Sequence, residues 1–98
     1  MRKYLLLAFF CMFLSTLFGQ SLEKNRVIIL TDIEADPDDT QSLIRLFLYA
    51  NQIDIKGIVA TTSCWQTKNI HPESIHKLID AYAKAQANLL KHESGYPS

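Results

Sequence analysis

The sequence predicts an α/β protein that is the start, β-α-β-α, of an open, mostly parallel doubly wound sheet. Two runs of β-branched apolar residues predict strands, and an apolar stripe of helical period follows each run. Strands that alternate with helices favour a parallel sheet. Two strands and two helices cannot cover both faces and both edges of such a sheet. We therefore expect an incomplete domain, the opening third or less, that is marginally stable alone.

The first three elements follow from apolar spacing. Residues 26–31 (RVIILT) form a continuous apolar run, typical of a strand buried on both faces. Residues 40–51 place their apolar side chains at helical spacing, and residues 53–62 (IDIKGIVATT) predict a second strand.

The second helix is predicted over residues 72–90. Its apolar stripe has the i, i+3, i+4, i+7 spacing of an amphipathic helix and consists of Ile75, Leu78, Ile79 and Tyr82. Pro72 suits the first turn, with His71 or Asn69 as the cap.

Residues 1–20 have the layout of a secretory signal peptide. Two basic residues come first, an apolar stretch covers residues 4–14, and small residues follow. This stretch is shorter than the roughly 20 apolar residues of a membrane span. We expect a secreted or periplasmic protein without membrane association after cleavage; an uncleaved anchor is the alternative.

Cleavage after Gly19 or Gln20 would leave residues 21–25 as a linker and residues 26–98 as the domain. The leader contains two of the ten basic residues, so the remainder carries an excess of two acidic charges. That balance lacks the basic footprint of a nucleic-acid binder, so we expect no nucleic-acid partner.

Five carboxylates lie within residues 32–39, where the first strand leads into the first helix. Like charges so close together cost free energy unless a cation compensates them. Ligands of open α/β sheets bind beyond the carboxyl ends of the strands, and carboxylate oxygens suit Ca²⁺ or, in a smaller set, Mg²⁺. The segment therefore predicts a divalent-cation site.

The alternative explanation for these acids is local. Asp36 suits a helix N-cap, Pro37 the first helical position, and Asp38 and Asp39 the first turn. That explanation does not account for Asp32, which stands at the end of the predicted buried strand.

Two other acidic motifs fit the segment less well. An EF-hand loop that starts at Asp32 would need Gly at Pro37 and Glu at Leu43, which excludes it. A phosphatase with an aspartyl nucleophile would need a second Asp where Glu34 stands.

The stretch VIILTDIEADPDDTQSL resembles the N-terminal metal motif of the inosine-uridine nucleoside hydrolase superfamily, Asp-x-Gly-x-Asp-x-Asp-Asp. IKGIVATTSCW and IDAYAKAQANLL are similar to a secreted bacterial, nucleoside hydrolase-like branch that is sometimes called cellulose-binding. The resemblance covers residues 26–98. It implies an N-terminal portion of a Ca²⁺-dependent protein that, when complete, cleaves an N-ribosyl or related glycosidic bond. The alternatives are a carbohydrate-binding protein without catalysis, or an inactive truncated fragment.

The resemblance assigns Asp32, Asp38 and Asp39 to calcium, with Asp36 at the rim. It implies that Asp32 also acts catalytically and takes the proton of a water bound to the cation. The ligand would be a small nucleoside or a carbohydrate.

The residues after the second strand are candidates for the sugar pocket. These are Thr62, Trp65 and Asn69; a packing aromatic for Trp65 and a helix cap for Asn69 are the alternatives. We expect Cys64 to be a small buried residue, and His76 to be solvated on the helix surface.

This chain departs from the superfamily pattern in three respects. Glu34 stands at the glycine of the motif, and Ala35 follows it. SCWQTKN replaces a Gly-Asn pair after the second strand. The elements that would supply further ligands and the leaving-group acid are absent from these 98 residues.

Overall fold

A computed structural model describes residues 1–15 and 23–98 of the chain. The predicted cleavage point after Gly19 or Gln20 lies outside these residues. The helices and strands are α1 (Arg2–Ser15), β1 (Asn25–Thr31), α2 (Pro37–Phe47), β2 (Ile53–Ala60) and α3 (Pro72–Leu89). From β1 onward the order is β-α-β-α and the two strands are parallel, which confirms the predicted fold class.

The predicted element boundaries need small corrections. α2 begins at Pro37, three residues before the apolar pattern, because Pro needs no hydrogen-bonded N–H in the first turn. α2 ends at Phe47, after which the N–H groups of Tyr49 and Ala50 bond to carbonyls three residues earlier. β2 ends at Ala60, two residues before the predicted end.

The pairing of the two strands contains a bulge. Val27 pairs with Ile55 and Ile28 with Gly57, so Lys56 is an extra residue on β2. The bulge lets Ile55 and Ile58 both face the core, although their spacing in a regular strand would put them on opposite faces. Lys56 instead points to solvent and pairs with Asp54 at 2.8 Å.

The core lies between the helices and one face of the sheet. Its buried members are Ile33, Leu43, Phe47 and Ile75, with β2 side chains packed against them. The rings of Phe47 and Tyr82 lie 5.6 Å apart and join α2 to α3. Both helices therefore cover the same face.

The other face of the sheet is open in the described part of the chain. Ile28 and Leu30 of β1 are 64% and 69% exposed, and Val59 beside them is also exposed. The expectation that β1 is buried on both faces is therefore wrong for this chain. The cause is the position of α2 and α3 on one face, and the sheet is incomplete, as the sequence predicts.

α1 lies within the predicted signal peptide, and its described side chains are exposed and mostly apolar. Its described side chains present no polar face, unlike those of α2 and α3. Among residues 1–15 and 23–98, none of the helices combines the length and the apolar character that crossing a membrane requires. The division into signal peptide, linker and domain stays a prediction.

The C-terminal residues fold back onto the amino end of the sheet. The hydroxyl of Tyr96 donates to the carbonyl of Leu48 at 2.8 Å, and that of Tyr82 donates to the carbonyl of Pro97 at 2.8 Å. Lys24 Nζ, just before β1, donates to the carbonyl of Gly95 at 2.8 Å. The C-terminal residues therefore do not cover the opposite, carboxyl end of the sheet.

Candidate functional site

The candidate site lies where β1 and β2 end. Because the strands are parallel, the loops that follow Thr31 and Ala60 leave the sheet at the same end. The first loop leads into the acidic segment, residues 32–39; the second carries the predicted sugar-pocket residues. In the acidic segment, Asp32 and Asp39 are half-buried, whereas Asp36 and Asp38 are exposed.

Part of the acidic segment serves the start of α2. Asp36 occupies the N-cap position with extended backbone, and Pro37 begins the helix. A carboxylate oxygen of Asp39 accepts a hydrogen bond of 3.1 Å from the backbone N–H of Asp36, as in a capping box. The local explanation thus accounts for Asp36 and Asp39, and not for Asp32.

Ile33 anchors the acidic segment to the core. It is fully buried, and it stands between Asp32 and Glu34 in the chain. The backbone N–H of Ala35 closes a turn onto the carbonyl of Asp32 at 2.9 Å. The buried side chain and the turn together hold the acids at the surface.

Glu34 has a left-handed backbone, with φ of 78°. Such a conformation costs a non-glycine residue on the order of 1–3 kcal/mol, whereas glycine adopts it freely. This explains the glycine of the superfamily motif at this position. The carboxylate of Glu34 accepts a hydrogen bond of 2.6 Å from the Ser74 hydroxyl in the first turn of α3.

Trp65 stands at the tip of a short turn, residues 63–66, which we call the tryptophan turn. The N–H of Ser63 donates to the carbonyl of Gln66 at 3.0 Å, and Ser63 Oγ accepts from the N–H groups of Trp65 and Gln66. These bonds fix the turn, and the Trp65 side chain is 82% exposed. Within the described residues Trp65 lies outside the buried core, and its role as a sugar contact or as a packing aromatic stays a prediction.

Gln66 joins the tryptophan turn to the acidic segment. Its amide nitrogen donates to the carbonyl of Ile33 at 3.2 Å and lies 3.4 Å from the carbonyl of Asp32. The structure thereby places the loop that carries Trp65 against the loop that carries Asp32. Sequence reasoning missed Gln66 and Ser74, since neither residue type marks such long-range contacts.

The remaining predicted positions have simpler surroundings. Thr62 and Asn69 are exposed on the loop after β2. His71, not Asn69, occupies the N-cap position of α3, although its side chain makes no capping hydrogen bond to the helix backbone. Cys64 is exposed in the turn that follows β2, so its predicted burial is wrong. His76 is exposed, as predicted.

The predicted calcium ligands suit the ion by chemistry, since all four offer carboxylate oxygens. In residues 1–15 and 23–98, however, no three Asp, Glu, His or Cys side chains are arranged so that they could hold a metal ion. The assignment of Asp32, Asp36, Asp38 and Asp39 to calcium stays a prediction.

A pair of ionisable groups stands at the start of α3. His71 Nδ1 lies 2.8 Å from a carboxylate oxygen of Glu73. The pKa of the Glu73 carboxyl is lowered, first by a bond from its backbone N–H and second by the bond to His71. The carboxylate form is thus favoured beside the acidic segment.

A groove of about 380 Å³ between β2 and α3 has a different character. Its lining is mostly apolar, and none of the predicted site residues contributes to it. The polar groups that could orient a hydrophilic ligand lie instead at the carboxyl end of the strands.

Comparisons with known proteins agree with the geometry. A family described as "Cellulose-binding Sde182, nucleoside hydrolase-like domain" matches residues 26–98. The chain is also similar to the solved structure of a nucleoside hydrolase-related hypothetical protein from Saccharophagus degradans that is associated with carbohydrate metabolism, with 42% sequence identity and a TM-score of 0.73. The match covers 78% of this chain and 18% of that one, so the chain spans less than a fifth of that protein's length. None of the curated proteins matches significantly. The predicted resemblance and fold are confirmed.

Proposed function

Because the chain belongs to the family of cellulose-binding Sde182, nucleoside hydrolase-like domains, we propose that it forms the N-terminal part of a domain that binds a saccharide at the carboxyl ends of β1 and β2. The observation that carries this proposal is Trp65. Its side chain is 82% exposed on a turn that hydrogen bonds hold rigid, beside a segment rich in carboxylates.

The chemistry of this edge matches that of a sugar. A pyranose ring has an apolar C–H face that covers an indole ring and removes its surface from water. Its hydroxyl groups donate hydrogen bonds, and the oxygens of Asp32 and Asp38 are acceptors. The same carboxylates repel phosphate groups, which favours a neutral saccharide over a nucleic acid.

We further propose that the complete domain holds Ca²⁺ with Asp32, Asp38 and Asp39, and with Asp36 at the rim. When bound, the ion would offset the charge of the acidic segment and coordinate sugar hydroxyls. What supports this proposal is the chemistry of the four carboxylates and their position after β1. Asp38→Asn should then lower calcium affinity, and EDTA should lower saccharide binding.

Export is the expected route of such a protein to a polysaccharide. The apolar, exposed α1 and the small residues after it support cleavage after Gly19 or Gln20. The intact mass of the native product measures this directly. A product that retains Met1 would favour the uncleaved anchor.

A second candidate function is hydrolysis of an N-ribosyl or related glycosidic bond. The half-buried position of Asp32 at the end of β1 favours it, because a general base must be held in place near the reacting sugar. Asp32 would take the proton of the attacking water, as the base of an inverting glycosidase does. Thr62 and Asn69 would contact the sugar. Release of free ribose that Asp32→Asn abolishes would support this candidate.

The experiment that tests saccharide binding compares two exposed aromatics of this chain within the complete domain. Trp65→Ala should weaken binding to cellohexaose about tenfold, which corresponds to about 1.4 kcal/mol. Tyr49→Ala is the matched control, since Tyr49 is 62% exposed after α2, at the other end of the sheet. Titration calorimetry measures both affinities. Equal losses in the two variants, or a complete wild-type domain that does not bind cellohexaose, would contradict the proposal.

A further inference from the structure

Glu34 combines an unfavourable backbone with a favourable side-chain bond. In the described part of the chain it is the one non-glycine residue with positive φ. Glycine would adopt this backbone without strain. A glutamate at this position therefore needs a compensating contact.

The Ser74 hydroxyl supplies that contact. It donates to Glu34 Oε1 at 2.6 Å, across 40 residues of sequence. A hydrogen bond to a carboxylate is short and stronger than a neutral one. Ser74 itself is well fixed, because the adjacent Ile75 is buried in the core.

The acidic segment is thereby attached at two points. Gln66 holds the carbonyl of Ile33 from the tryptophan turn, and Ser74 holds the carboxylate of Glu34 from α3. Fixing a binding loop before the ligand arrives lowers the entropy lost on binding. The Glu34 carboxylate is occupied by this attachment.

We infer that Glu34 is a positioning residue whose bond to Ser74 fixes the acidic segment against α3 in the conformation that binds a ligand. The identity of that ligand as a saccharide rests on the proposed function. The bond is exposed and the backbone of Glu34 opposes it, so the bond adds little to global stability. Its effect is on the placement of the segment.

Substitution by glycine separates placement from stability. In the full chain, Glu34→Gly removes the backbone strain and the bond together. We expect an unchanged or higher melting temperature, faster amide hydrogen exchange at Ala35 by about tenfold, and several-fold weaker binding of cellohexaose. A residue with a merely structural role would lower the melting temperature in parallel with the affinity.

Three further variants complete the test. Ser74→Ala should accelerate exchange at Ala35 to the same degree, and Glu34→Gly with Ser74→Ala should be no worse than either alone. Glu34→Gln keeps an acceptor oxygen for Ser74 and should remain near wild type. Failure of this rescue, or additive effects in the double variant, would overturn the inference.

The two proposals fail in different ways. A complete wild-type domain that does not bind cellohexaose refutes the saccharide proposal, and the exchange rates at Ala35 still decide whether Glu34 fixes the segment. Normal binding by Glu34→Gly refutes the positioning role alone.

Discussion

Gln66 and Gln86 make the same kind of contact at opposite ends of the sheet. Each side-chain amide donates to two successive main-chain carbonyls: those of residues 32 and 33 for Gln66, and those of residues 96 and 97 for Gln86. Gln66 thereby joins two loops at the carboxyl end. Gln86 joins the C-terminal residues to α3 at the amino end.

The difference lies in the polar groups that surround each contact. At the amino end, Lys24 and two tyrosine hydroxyls also donate to main-chain carbonyls, so polar side chains there serve the fold. At the carboxyl end, Asp38 and Trp65 remain exposed on fixed backbone. Rigid backbone that presents unused polar and aromatic groups is typical of a binding edge.

The largest expected effect on stability comes from truncating Ile33, which anchors the acidic segment at the carboxyl end of the sheet. Ile33→Ala should cost about 3 kcal/mol in the free energy of unfolding, because it leaves a cavity beneath the acidic segment. Ile28→Ala is the control on the open face and should cost less than about 1 kcal/mol. Urea denaturation of the full chain measures both, and similar losses would mean that Ile33 does not anchor the segment.

Substitution of Gln66 and of Gln86 tests whether the two ends of the sheet differ in ligand binding. Gln66→Ala and Gln86→Ala should each cost about 1 kcal/mol of stability, since each removes hydrogen bonds of similar type. Cellohexaose affinity should fall in Gln66→Ala alone. If Gln86→Ala weakens binding as much, the two ends do not differ in function.

Substitution of Gly95 should have an effect of similar size, and substitution of Gly57 a smaller one. Gly95 has φ of 91°, and a Cβ there would lie 3.2 Å from Lys24 Nζ, so Gly95→Ala should cost about 1 kcal/mol. A Cβ at Gly57 would meet no atom within 4 Å, so Gly57→Ala should change stability by less than about 0.5 kcal/mol. Thermal denaturation distinguishes the two, and equal effects would show that residues 95–97 do not hold the amino end.

The smallest expected effect is the change in stability with pH that the carboxyl group of Glu73 causes. Its pKa is below the ordinary value of 4.5 in the folded chain, so its contribution to stability is present above pH 4.5 and is lost as the pH falls through the folded pKa. NMR titration of the carboxyl measures this. His71→Ala should raise the pKa only in part, because the backbone bond is the larger cause. If the pKa of Glu73 returned fully to its ordinary value in His71→Ala, the bond to His71 and not the backbone bond would be the larger cause.

The strands and helices were predictable because their apolar spacing depends on local sequence. The parallel order followed from the alternation of elements, and the helix start at Asp36 and Pro37 followed from capping chemistry. The exposure of Ile28 and Leu30 was not predictable, because an apolar run is the same whether or not a second helix layer covers it. The bulge at Lys56 depends on pairing between two strands.

The position of the predicted site residues after the two strands was predictable, but their contacts were not. Asp32 and Trp65 could be placed because each follows a strand. The contacts of Gln66 and Ser74 span more than 30 residues, and no local pattern encodes them. The departure at Glu34 was visible in the sequence, but its positive φ and its bond to α3 required the structure.

The open face of the sheet has a consequence for solubility. Ile28, Leu30 and Val59 form a row of apolar side chains beside unpaired strand edges, an arrangement that favours self-association. The charged bulge of Lys56, which twists one edge, counteracts strand addition on that side. Light scattering by solutions of the chain should therefore rise with concentration, and β1 should be the strand through which copies first aggregate.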